Sequence, residues 1–84
     1  MNSMKPIRDL AESLVSDVTP ALDSDRAEFL EDTLFAGEFE EAARYSVGFA
    51  KDLGFSVDGS LIDDFTERFG ADVSKGVKIK NAAA

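Results

Sequence analysis

The side chains in this chain that could perform acid–base chemistry are carboxylates. Asp63 and Asp64 are adjacent, and two neighbouring carboxyl groups can serve as an acid and a base. The chain contains no His and no Cys, the side chains most often used for proton transfer, nucleophilic attack and metal binding. Nothing in the sequence supplies a nucleophile, a phosphate-binding loop or a metal partner for the two aspartates. We therefore predict that the protein is not an enzyme and uses no cofactor.

A second group of acids begins like a calcium-binding loop. Asp23 and Asp25 have the spacing of the first two ligands of such a loop. The loop also needs an acid or amide at its fifth position, Gly at its sixth and Glu at its twelfth. Ala27, Glu28 and Leu34 stand at those positions, so the pattern does not predict a calcium site.

The segment around Ser60 raises a third possibility. Acyl carrier proteins are short, acidic and four-helical, and they attach phosphopantetheine to the Ser of an Asp-Ser-Leu triplet that begins a long second helix. This chain reads Asp58-Gly59-Ser60-Leu61, so Gly59 interrupts the triplet. Only one predicted helix follows Ser60. An acyl-carrier-like protein is therefore a lesser alternative.

Charge is distributed unevenly along the chain. The stretch from Asp9 to Asp72 contains all 17 acidic residues and four basic ones, which gives it a net charge of −13. The basic residues near both ends bring the whole chain to −8. Like charge repels nucleic acid and anionic membranes, so we predict that neither is a partner. A basic protein is the partner that this charge favours.

The length and composition predict one small folded domain. The chain has 84 residues, of which 44% are hydrophobic and seven are Phe, more than a disordered acidic segment carries. No apolar run approaches the roughly 20 residues that span a bilayer, and the beginning of the chain lacks the apolar region of a signal peptide. Without Cys no disulfide can form. We expect a cytoplasmic protein.

Hydrophobic spacing predicts an all-α fold, a small four-helix bundle. Pro6 suits the first position of helix one and Pro20 ends it. Helix two begins at Asp23 or Ser24 and ends at Gly37. The apolar stripe of helix one has full helical period and consists of Ile7, Leu10, Ala11, Leu14, Val15 and Val18.

Helices two and three are expected to form a central αα-hairpin, because almost no linker separates them. Helix three ends at Gly54, and helix four runs from a cap at Asp58 to Gly70. Residues 1–72 would form the domain. Residues 73–84 would form a flexible basic tail, because a lone Val77/Ile79 strand has no predicted partner. Residues 82–84 resemble a linker to a purification tag. The predicted inward residues are Ala27, Leu30 and Leu34; Phe39, Ala42, Ala43, Ser46, Phe49, Ala50 and Leu53; and Ile62, Phe65 and Phe69.

At 100° per residue, several side chains fall outside these apolar stripes. Many of these outward side chains are acidic, and an ordinary solvated face would explain any one of the acids taken alone. It explains the set less well, because surfaces that serve solubility mix both signs of charge. Tyr is enriched at interfaces when it stands exposed among charges. The candidate partner-binding residues are Glu41, Tyr45 and Asp52 on helix three, followed by Asp25, Glu28 and Asp32 on helix two.

Two neighbours of these residues leave alternatives open. Gly48 lies one turn from Tyr45 and Asp52, and a mid-helix Gly costs about 1 kcal/mol relative to Ala. It permits close approach either by a partner or by another helix of the same domain. Phe35 either folds into the corner of the hairpin or stands as an exposed anchor.

The region from Leu22 to Gly70 resembles the small helical immunity proteins of bacterial polymorphic-toxin and contact-dependent inhibition systems, in particular the MafI-like group. The resemblance rests on Leu22-Asp23-Ser24, on Gly37-Glu38-Phe39-Glu40-Glu41-Ala42 at the hairpin, and on the spacing through Leu53 and Val57 to Phe69-Gly70. It covers about half of the chain. Bulkier aliphatic residues are usual in that group where Ala27, Ala43 and Gly48 stand.

The resemblance implies a protein that binds and neutralises the toxin domain of its own system, often a nuclease. An acidic surface fits that role, since nuclease active sites are basic in order to hold phosphate. The alternative is an acidic adaptor, or a nucleic-acid mimic, that binds a host protein. The sequence is compatible with a monomer or a weak homodimer.

Overall fold

The computed structural model describes residues 6–80, and this part of the chain contains five α-helices and two short strands. The chain is mostly helical, as predicted, but a four-helix bundle is not confirmed. The elements are α1 (Ile7–Val18), a 3₁₀ turn (Thr19–Ala21), α2 (Ser24–Phe35), α3 (Phe39–Leu53), β1 (Ser56–Asp58), α4 (Gly59–Phe69), α5 (Ala71–Ser74) and β2 (Lys78–Lys80).

Helix α1 is the element around which the others pack. It contacts α3 most extensively, and it also contacts α2, α4 and β1. Its predicted apolar stripe is confirmed from Leu10 to Val18, and Ile7 is half-buried at its edge. The largest fully buried side chain is Phe65, which α4 contributes to the core.

Helices α2 and α3 form the predicted αα-hairpin. Gly37 takes a φ of +81°, a left-handed conformation that favours glycine, and its N–H donates to the carbonyl oxygen of Leu34 at 2.9 Å. Phe29 contacts Tyr45 and Phe49, while Arg26 lies over Phe49, so the two helices run antiparallel.

The buried faces of the hairpin differ in detail from the prediction. Thr33 and Val47 are buried although the apolar spacing did not include them, and Leu53 is 48% exposed at the end of α3. The Thr33 hydroxyl donates to the Phe29 carbonyl at 2.8 Å, and the Ser46 hydroxyl donates to the Ala42 carbonyl at 2.8 Å. Each hydroxyl is satisfied within its own helix and can therefore lie in the core.

The prediction of a flexible tail is wrong for residues 73–80. Strand β2 pairs in parallel with β1, with Val57 opposite Ile79, and the predicted boundary after residue 72 falls inside α5. The partner strand that the prediction lacked is β1. From the sequence, that segment is recognisable only as the residues that lead into helix four. Residues 81–84, including the suspected tag linker, lie outside the described residues.

Asp17 fixes this small sheet to α1. Its carboxylate accepts the backbone N–H of Asp58 at 3.0 Å and the Lys80 ammonium at 2.9 Å. Lys51 adds a second connection by donating to the Val73 carbonyl at 3.1 Å. The C-terminal part of the described chain is thus held to both α1 and α3.

Asp58 caps the N-terminus of α4, as predicted. One of its carboxylate oxygens accepts the Ser60 hydroxyl at 2.6 Å, the Ser60 N–H at 3.1 Å and the Leu61 N–H at 3.2 Å. The Ser60 hydroxyl and the Leu61 amide stabilise the charged form and hold the pKa of the Asp58 carboxyl below its usual value. Ser60 therefore has a structural role in this cap.

Substituting the cap should change the free energy of unfolding by an amount that depends on pH in a defined direction. Asp58→Ala should lower the free energy of unfolding by about 1 kcal/mol at neutral pH. Because the folded-state pKa is lowered, the contribution of Asp58 is complete above the ordinary aspartate pKa of about 3.9. This contribution is lost as pH falls through the lowered pKa that the Asp58 carboxyl has in the folded protein. Urea unfolding of both proteins at a series of pH values measures the difference.

Asp58→Asn is the matched control for this prediction, since asparagine caps helices nearly as well but does not titrate. The difference between wild type and Asp58→Asn should change over the same acidic range. A difference that stayed constant across that range would contradict the assignment.

Candidate functional site

The predicted binding residues of α3 lie on a single exposed stripe. Glu41, Tyr45 and Asp52 are all exposed, and Gly48 lies between them at helical spacing. The opposite side of α3 enters the core. The residues buried there are Ala42, Ala43, Ser46, Val47 and Ala50.

Helix α2 contributes a matching stripe. Asp25, Glu28 and Asp32 are exposed, as predicted. Helical spacing places Phe29 beside Asp25 and Asp32, while Glu28 lies further around the helix on the side of Phe35. Together the two stripes form one outer surface, which we call the hairpin face. It consists of Asp25, Phe29, Asp32, Glu41, Tyr45, Gly48 and Asp52.

A pair of aromatic rings joins the two stripes. The centroids of Phe29 and Tyr45 are 5.0 Å apart in an edge-to-face arrangement, and Phe29 makes a second such contact with Phe49 at 6.2 Å. Phe29 is 43% exposed and Tyr45 is 44% exposed. Phe29 was not among the predicted binding residues, although its spacing from Asp25 and Asp32 could have indicated it.

The carboxylates of the hairpin face lack counterions within the described part of the chain. None of Asp25, Asp32, Glu41 and Asp52, nor the neighbouring Glu28, forms an ion pair with a residue of 6–80. The two nearby arginines, Arg26 and Arg44, contact other groups instead. Arg26 pairs with Asp23 at 2.9 Å and holds the pKa of that carboxyl below its usual value, and Arg44 lies 5.0 Å over the ring of Phe69.

The structure decides both alternatives left by the sequence. A Cβ atom built at Gly48 has no atom outside its local backbone within 4 Å, so none of the other helices in residues 6–80 crosses there. Phe35 is 94% exposed and does not fold into the hairpin corner. The six predicted residues are therefore all on the surface, with two exposed phenylalanines beside them.

Substitution of Gly48 tests whether this position is kept open at the expense of stability. Gly48→Ala should raise the free energy of unfolding by about 0.5 to 1 kcal/mol, because Ala favours the helix and its methyl group meets open space. Gly37→Ala should instead lower it by about 1 kcal/mol, because its φ is positive. Chemical unfolding measures both. A destabilised Gly48→Ala protein would show that the position is crowded.

One open cleft of about 550 Å³ is lined by residues of α1 and the start of α4, including Asp17 and Asp58. Both of these aspartates already hold backbone or side-chain donors. Within residues 6–80, no group of three or more acidic side chains is arranged to hold a metal ion. Asp63 and Asp64 lie on α4, which is not part of the αα-hairpin.

Comparison with protein-family models, with curated proteins and with solved structures returned no match for this chain. In the described part of the chain, none of the helices combines the length and apolar content that a bilayer crossing requires. The hairpin face is therefore interpreted from its own chemistry. It offers aromatic surface and uncompensated carboxylates, which suit a cationic protein surface.

Proposed function

We propose that this chain is an immunity protein that binds and neutralises a basic toxin domain, a nuclease, through the hairpin face. The observation that carries the proposal is the exposed Phe29–Tyr45 ring pair among carboxylates that have no counterion within residues 6–80. A domain that placed these acids only for solubility would not need exposed rings between them. The motifs shared with helical immunity proteins support the same function.

The physical basis of neutralisation is electrostatic complementarity. A nuclease holds its substrate with lysine and arginine side chains, and an acidic surface can occupy the same field. Long-range attraction raises the association rate, while buried aromatic residues at the centre of an interface supply much of the affinity. The hairpin face combines both elements, with Tyr45 near its middle and acids around it.

The same charge disfavours self-association through this surface. A second copy would bring carboxylates against carboxylates without a counterion. We therefore propose a monomer that forms a one-to-one complex with its toxin domain.

The test is calorimetric titration of this protein into any toxin-like C-terminal domain that is encoded immediately upstream of its gene. The proposal predicts a dissociation constant of about 1 nM or below, together with loss of the nuclease activity of that domain. Absence of binding would contradict the proposal. It would favour an acidic adaptor for a host protein, for which affinity capture followed by identification of the partner is the next experiment.

A further inference from the structure

The centre of the hairpin face contains a notch beside its one tyrosine. Gly48 follows Tyr45 by one helical turn and leaves an open space that any side chain would fill. Asp52 lies a further turn along the same stripe, and Glu41 lies one turn before Tyr45. The notch is thus an exposed ring with space beside it and a carboxylate on either side.

The Tyr45 ring is held in position on one side and exposed on the other. Phe29 packs against it edge to face at 5.0 Å, with an angle of 67° between the ring planes. The remaining surface of Tyr45 is accessible, and Gly48 leaves room for a flat group to approach the ring. A cation placed there would contact the ring while its hydrogen-bond donors reach a carboxylate.

A guanidinium fits this notch better than an ammonium. It is planar, it stacks on aromatic faces, and its fork of donors matches a carboxylate in a bidentate pair. An ammonium is compact and strongly hydrated, and it loses more hydration on contact with a ring. The domain already shows this contact twice, with Arg26 5.7 Å from the centroid of Phe49 and Arg44 5.0 Å from that of Phe69.

We infer that the notch at Tyr45, Gly48 and Asp52 binds an arginine side chain of the partner protein. This inference rests on the proposed function, since it names the group of the basic partner that the hairpin face receives. Selectivity for arginine over lysine is what separates it from general attraction between opposite charges.

The chain carries its own reporter of this contact, because it contains one Tyr and no Trp. Its intrinsic fluorescence therefore comes from Tyr45. We would titrate the full chain with a hexa-arginine peptide and with a hexa-lysine peptide of equal charge, following tyrosine emission and the anisotropy of labelled peptide. The arginine peptide should bind about two- to fivefold more tightly and should change the Tyr45 emission more at saturation.

Three substitutions, two at Tyr45 and one at Gly48, identify the source of the preference. Tyr45→Leu should make the two peptides bind equally and leave the affinity for hexa-lysine unchanged within about twofold, since it removes the ring contact and no charge. Tyr45→Phe should keep the preference. Gly48→Leu should remove it by filling the notch. Circular dichroism would establish that each variant remains folded.

Equal binding of the two peptides by the wild type would overturn the inference. A preference that survived in both Tyr45→Leu and Gly48→Leu would overturn it as well. These outcomes are separate from the test of the proposed function. A Tyr45-dependent arginine preference without toxin binding would reject only the immunity function, and toxin binding without that preference would reject only the arginine notch.

Discussion

Phe65→Ala is expected to lower the free energy of unfolding by about 3 to 5 kcal/mol. Phe65 has no exposed surface, and its ring centroid lies 4.7 Å from that of Phe69. The truncation would leave a cavity where α4 packs into the core. Small domains have a total stability of about 5 to 15 kcal/mol, so this one change should remove a large share of it. Urea unfolding followed by circular dichroism measures the loss.

Phe35→Ala is the matched control, because it removes the same atoms from a side chain that is 94% exposed. Its free energy of unfolding should stay within about 0.5 kcal/mol of the wild type. Similar losses in the two variants would show that the core does not depend on α4 as described.

Reversing two charges on the hairpin face should have the largest effect on binding. Glu41→Lys combined with Asp52→Lys should slow association with the proposed toxin domain by about tenfold or more at low salt, because in the proposed complex the carboxylates around Tyr45 steer the partner. Added salt should reduce the difference from wild type. Stopped-flow or surface plasmon resonance measurements at several ionic strengths provide the association rates.

Asp63→Lys combined with Glu67→Lys provides a control with the same change in net charge. Both residues are exposed, and they lie on α4, which is not part of the αα-hairpin. This variant should slow association much less than the Glu41/Asp52 pair. Equal effects would mean that only the total charge matters, and the assignment of the binding surface to α2 and α3 would be wrong.

Local features of the fold could be predicted from the sequence because they depend on neighbours in the chain. The stripe of α1 repeats at helical period, Gly37 ends α2 in a left-handed conformation, and Asp58 caps α4. The exposure of Tyr45 and of the five acids also follows from helical spacing alone.

Contacts between segments that are distant in the chain could not be predicted from local sequence patterns. Strands β1 and β2 have three residues each and are separated by two helices, so neither carries a recognisable pattern of its own. The bonds from Asp17 to Asp58 and to Lys80 join residues 41 and 63 positions apart. Phe29 was missed for a related reason, since its importance lies in a contact between two helices.

Helix α3 divides its residues between two opposite sides, and this division affects how the protein can evolve. The side chains that form the core lie on one side, whereas Glu41, Tyr45, Gly48 and Asp52 lie on the outer side, where Tyr45 packs against Phe29. Substitutions at those four positions can change partner specificity while the domain stays folded. A saturation library of α3 selected for abundance should accept many residues at these positions and few at Ala42, Ala43, Ser46, Val47 and Ala50. Lineages of such a protein could therefore follow a changing partner through substitutions on one side of one helix.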